Sequence, residues 1–156
     1  MTAVPFGDLK AHVAALRPEI DAAVARVLDS GWFILGPEVE AFERELAAAL
    51  EARHAVAVAN GTEAIQLALE ALGLAARDEV ITSPLTAAFT ALAIVRAGAR
   101  PVFADVDPVT LNVSPETVER ALTPHTRALL PVHLYGHPVD LDPMLELARG
   151  RGIPLV

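Results

Sequence analysis

Apolar positions change their period along the chain, and the change divides it in two. In the first third, Ile20, Val24, Val27 and Leu28 recur at helical spacing after Pro18. That spacing predicts a helix opening at Pro18 and stopping at Ser30-Gly31, preceded by an irregular lead-in over 4–12. Residues 32–35, Trp-Phe-Ile-Leu, form an apolar patch, and Pro37 suits the opening of a second helix. Its Val39, Phe42, Leu46 and Leu50 are expected to share a buried face, with Glu40, Glu43, Arg44 and Glu45 largely outside. The acidic run from Glu38 to Glu51 reads as a solvated helix face.

From His54 the pattern becomes strand–turn–helix. Ala55, Val56, Ala57 and Val58 form an uncharged run, as expected for a strand covered on both faces. Asn60-Gly61 breaks it, and a helix follows over 64–72 in which only Gln66 and Glu70 are polar, with Gly73 placed as its stop. Downstream, apolar runs over 79–82, 100–104, 127–132 and 153–156 alternate with helical patterns over 87–97, 115–122 and 142–149. Gly98 stops the first of these helices, and Ser114 caps the second with Pro115 at its first position. Strands alternating with helices imply an α/β fold around a mainly parallel sheet. No internal repeat or linker interrupts it.

Composition narrows the chemistry. At 156 residues with 53% hydrophobic content the chain has enough apolar surface for a core. No apolar stretch approaches the roughly 18 residues of a membrane span, and no signal-peptide pattern opens the chain, so a cytoplasmic location is expected. A net charge of −8 argues against nucleic acid as a partner. The absence of cysteine removes disulfides and thiolate metal sites. His133, Tyr135, His137 and Asp140 gather near a strand end, but their spacing fits no standard metal pattern, and no metal is expected. Lys10 is the only lysine.

The turn at Gly61-Thr62-Glu63 is the first candidate site. A glycine before a helix N-terminus presents free N–H groups and a partial positive charge, which suits a phosphate, and the Thr62 hydroxyl adds a donor. Taken alone, a strand–glycine–threonine–helix pattern is more often ordinary βα turn chemistry than an anion site.

Five stretches in register carry a resemblance: VPFGDL, SGWFILGPEVEAFERELA, VANGTEAIQLALEALGL, DEVITSPLTAAFTALAIVRAGARPVFADVDP and LLPVHLYGHPVDLDPM. Together they resemble the pyridoxal-phosphate dependent aminotransferases that act on nucleotide-linked keto-sugars, the DegT/DnrJ/StrS group. The resemblance implies the aspartate-aminotransferase-like (fold type I) large domain, of which this chain is the N-terminal part. It implies a helical arm over 1–53 and an incomplete cofactor-binding domain over 54–156. By the same resemblance Gly61, Thr62 and Glu63 hold the cofactor phosphate. The segment from Ser83 to Ala87 matches a loop whose aromatic residue stacks on the pyridine ring. Ala87 occupies that aromatic position here, a departure; Phe89 either supplies the ring or is simple helix core. His133 and Tyr135 belong to a structural turn near the cofactor.

In that family a lysine binds the cofactor and moves the proton, and a carboxylate faces the pyridine nitrogen. Both are expected beyond Val156, and the apolar strand start at 153–156 makes the sequence look cut. The expected parent activity is transfer of an amino group from glutamate to a nucleotide-sugar in amino-sugar, polysaccharide or antibiotic-sugar biosynthesis, within a homodimer. This chain alone is expected to be inactive. A non-catalytic binding or dimerisation module, a generic phosphate binder and a fragment of the related sugar dehydratase remain as alternatives.

Overall fold

The structure, a computed structural model, describes residues 7–156, so Val4, Pro5 and Phe6 of the first matching stretch lie outside the described residues. The chain divides into two compact units, one up to Ala57 and one over Val58–Val156.

The first unit is helical. Helix α1 (Leu9–Ser30) opens where Asp8 accepts the Ala11 N–H at 2.9 Å. Pro18 therefore lies inside α1, and the expected lead-in up to residue 12 is already helix. An aspartate cap followed by good helix formers outweighs the bond that Pro18 cannot donate. Gly31, at φ 66°, ends the helix in the left-handed conformation that glycine adopts without strain. Helix α2 (Pro37–Ala49) opens at Pro37 as expected. Its expected buried face is only partly covered: Val39 and Leu46 are half-buried, whereas Phe42 and Leu50 are exposed. Glu43 turns inward instead, and its carboxylate accepts the Ala57 N–H at 2.7 Å. Arg26 binds both oxygens of Glu38, at 2.7 and 3.0 Å, and ties α1 to α2.

Ala55, Val56, Ala57 and Val58 form no strand, contrary to the sequence expectation. An uncharged run has strand composition, but a strand exists only where a neighbour completes the ladder. Among the described residues none does.

The second unit is layered. Its elements are α3 (Gly61–Ala71), β1 (Glu79–Thr82), α4 (Ala88–Arg96), β2 (Arg100–Phe103), α5 (Pro115–Ala121), β3 (Thr126–Leu130) and α6 (Leu141–Arg151), with a short 3-10 turn over Leu134–Gly136. The strands are parallel in the order β2-β1-β3, and Leu155 extends the sheet by one parallel bridge to Leu129. Alternation along the strands feeds two cores. Ile81 and Leu129 point to one, with Val118 of α5 and Met144 and Ala148 of α6. Val80, Ala128 and Leu130 point to the other, with Leu69 of α3 and Ile94 of α4. Both faces are thus covered, which is why these strands read as continuous apolar runs. A bulge between Glu79 and Val80 of β1 leaves Arg127 as the extra residue of β3. Thr82 Oγ1 donates to the Leu130 carbonyl at 2.7 Å, joining β1 to β3 in the interior.

Candidate functional site at the carboxyl end of the sheet

The α3 N-terminus is built by Asn60, a residue the sequence reading used only as a strand breaker. Its side chain accepts the Glu63 N–H at 3.0 Å, and its carbonyl accepts the Ala64 N–H. The N–H groups of Gly61 and Thr62 keep no partner among the described residues, nor does the Thr62 hydroxyl. The Glu63 N–H, the third expected donor, is already held by the cap.

Gly61 is not required by the chain's own geometry. Its φ lies outside the left-handed region, and a Cβ built on it would meet nothing within 4 Å. Where the backbone accepts alanine, glycine costs about 0.4–1 kcal/mol against it through the freer unfolded chain. Here it leaves open space beside two unpartnered donors at the positive end of a helix dipole. Those features fit a phosphate group. Gln66, one turn further along α3, buries its Oε1 without a partner while its amide nitrogen binds Glu70 at 2.7 Å. An unpartnered acceptor does not suit an anion, so Gln66 is not part of this cradle.

At the end of β1 the chain bends at Ser83, whose hydroxyl receives the Leu85 N–H at 3.1 Å. Ala87 is the N-cap position of α4, exposed and extended, with no side-chain cap. Phe89 follows in the first turn and is 62% exposed, so it is not helix core. Thr90 behind it is buried, and its hydroxyl meets that of Thr86 at 2.9 Å.

The segment after β3 is braced from two sides. His133 Nδ1 accepts the Val139 N–H at 2.9 Å, and the Asn112 amide donates to the Pro138 carbonyl at 3.0 Å. His133 is thus a loop fastener. Asn112, buried and hydrogen-bonded, was missed in the sequence because nothing in its spacing marks it. The turn after β2 is shaped by Asp107, whose carboxylate accepts the Val109 and Thr110 N–H groups at 2.9 and 2.8 Å. Those two bonds hold it below the usual carboxylate range. Glu116 is also held low, chiefly by the Ser114 hydroxyl at 2.6 Å.

Among the described residues no group of three or more histidines and carboxylates is placed to hold a metal, and no helix is long and apolar enough to cross a membrane. A cavity of about 700 Å³ lies at the opposite, amino end of the strands, lined by Asp78, Thr126 and Arg127 among others. Open parallel sheets bind ligands at the carboxyl ends of their strands, so this cavity is no substitute for the turn at Gly61.

The comparisons with known proteins agree with one another. The model of the DegT/DnrJ/EryC1/StrS aminotransferase family matches residues 14–156. A dTDP-3-amino-3,4,6-trideoxy-alpha-D-glucose transaminase from Streptomyces venezuelae is 52% identical over 98% of this chain and 40% of its own length. A UDP-2-acetamido-2-deoxy-3-oxo-D-glucuronate aminotransferase from Pseudomonas aeruginosa is 43% identical over 98% of the chain and 43% of its own. Among solved structures, S. venezuelae DesV in complex with a ketimine intermediate superposes at a TM-score of 0.94, with 51% identity over 99% of this chain and 42% of that one. NtdA from Bacillus subtilis with bound cofactor PMP gives 0.92 at 33% identity, over 99% of this chain and 36% of that one. The chain therefore spans about two fifths of the length of the curated relatives it matches. Its α/β architecture, a parallel sheet with helices on both faces, is that of fold type I aminotransferases. By its sequence and by its fold, this chain belongs to the DegT/DnrJ/EryC1/StrS aminotransferase family.

Proposed function

We propose that this chain carries the phosphate-holding end of a pyridoxal-phosphate dependent aminotransferase acting on a nucleotide-linked keto-sugar. Glutamate is the proposed amino donor, a homodimer the proposed assembly and the cytoplasm the proposed location. Residues 54–156 form the cofactor-binding part in this reading, and 1–53 an arm. The observation that carries it is Gly61, a glycine its own backbone does not need, beside unpartnered donors at a helix N-terminus.

When bound, the cofactor supplies a ring that accepts the electron pair released beside the transferred nitrogen. The chain's own residues act on binding. Gly61 and Thr62 donate N–H groups to the phosphate and Thr62 adds its hydroxyl. The Glu63 N–H joins them once the Asn60 side chain moves aside. Until then Asn60 caps the α3 turn through that same N–H. Phe89, exposed in the first turn of α4, covers the ring where Ala87 has only a methyl group.

The lysine content favours a second statement about this chain by itself. Lys10 is its only lysine and is exposed on α1 of the first unit. The chain then binds the cofactor without covalent attachment and without turnover. Titration with pyridoxal phosphate, followed by absorbance after gel filtration, tests both statements. Binding is expected to be competed by inorganic phosphate, weakened by Thr62→Val and unchanged by Lys10→Arg. Binding indifferent to Thr62→Val would move the phosphate elsewhere. A borohydride-stable adduct that supports turnover would overturn the inactivity.

A further inference from the structure

Four described residues other than glycine hold left-handed backbone: Leu35, Glu51, Leu111 and Tyr135. Glu51 follows the end of α2, where that conformation commonly closes a helix. Leu111 sits inside a turn closed by its own N–H to the Asp107 carbonyl at 2.8 Å and by the Asp107 N–H to the Asn112 carbonyl at 2.9 Å. Leu35 precedes Gly36, next to the first helix pair. Tyr135 is 89% exposed, against 67% for Leu35 and 55% for Leu111, and it lies on the loop that leaves β3 at its carboxyl end.

A bulky aromatic at φ 54° costs folding free energy that glycine would not, and such strain persists only where surrounding contacts impose it. Here they do. His133 and Val139 fasten the two ends of the loop, Val139 is buried in the core, and the buried Asn112 clamps the Pro138 carbonyl. The result is a braced loop whose strained tip holds a ring away from its own chain. β3 runs parallel beside β1, so the loop with this ring leaves the same carboxyl end of the sheet as the segment that leads to Phe89.

We propose that Tyr135 is a substrate-contacting residue whose ring stacks on the pyrimidine base of the nucleotide-sugar, held there by the Asn112 and His133 brace. This rests on the nucleotide-sugar reading given above. Aromatic rings stack on nucleobases through their flat faces, so the hydroxyl is dispensable and the ring is not.

The test is calorimetric titration of the whole chain with thymidine diphosphate, with thermal melting and a parallel pyridoxal phosphate titration. Tyr135→Phe is expected to bind within about twofold of the unaltered chain, and Tyr135→Gly about tenfold or more weakly. Tyr135→Gly is also expected to melt at the same temperature or higher, because it relieves the backbone. A merely structural tyrosine would not give that opposition. The inference is overturned if Tyr135→Gly keeps its affinity, if its Tm falls along with binding, or if the unaltered chain binds pyridoxal phosphate but not thymidine diphosphate. That last outcome would leave the ring facing another protein surface. A chain that binds neither ligand overturns the parent reading as well, which separates the two failures.

Discussion

The two units are made from similar residues and use them differently. In the first, long apolar side chains lie along α1 at 9, 13, 16, 20, 24 and 28, and each is at least 40% exposed. Among its described residues only Gly36 is buried. In the second, Val80, Ala93, Ile94, Ala128 and Met144 are completely buried. The difference is geometric. A parallel sheet offers two faces, and each short strand can serve both because its side chains alternate. A pair of helices offers one seam, and any apolar stripe outside it stays in water.

The largest effect that would test this contrast is Leu129→Ala. Leu129 is 1% exposed in the core shared with Ile81 and Met144, and it also carries the bridge to Leu155. Truncation is expected to cost about 2–5 kcal/mol in urea unfolding. Leu16→Ala on α1 is expected to stay within about 0.5 kcal/mol. Equal losses would break the comparison. Next comes Asn60→Ala, which removes the α3 cap and is expected to lower stability by about 1 kcal/mol. Gly61→Ala is expected to go the other way, raising stability by about 0.5–1 kcal/mol while weakening pyridoxal phosphate binding. A Gly61→Ala chain that gains stability and keeps its affinity would mean that the open space has no occupant.

The smallest effects are electrostatic and exposed. Arg26 holds Glu38 below its ordinary pKa, mainly by their hydrogen bond. A carboxylate depressed in the folded state adds stability above its unfolded pKa, and that contribution fades as pH falls through the folded one. Glu38→Gln should therefore alter melting slightly at neutral pH and not at all in strong acid, and added salt should shrink the difference. Asp107→Asn should follow the same pH course, because two backbone N–H groups hold that carboxylate low.

Much of the second unit was legible in the sequence because its signals are local. Ser114-Pro115 opens α5 with its cap in place, and Gly73 and Gly98 stand at left-handed positions after α3 and α4. The strands at 79, 100 and 126 begin within a residue of where apolar runs place them. What was misread depends on partners. The run 55–58 has a strand's composition without a ladder, and Pro18 looked like a helix start only because the Asp8 cap lies ten residues earlier. At the site, Gly61 and Thr62 were visible as a pattern, and so was the exposed alternative at Phe89. Asn60 as a cap and Asn112 as a clamp were not, because a carboxamide's role depends on what the fold brings to it.

The bulge beside Arg127 has a consequence for how this sequence can change length. Glu79 pairs with Thr126 and Val80 with Ala128, so the strand already accommodates one residue that the ladder does not count. Deleting Arg127 would leave Thr126 on the face of Glu79 and Ala128 on the face of Val80. Deleting Ala128 would instead leave its buried slot to the Arg127 side chain, and deleting Leu129 would move a neighbour into the wrong core. One-residue deletions in β3 should therefore be tolerated at 127 and rejected at 128 and 129. The cost at 127 is the pairing of the exposed Arg127 with the half-buried Asp78.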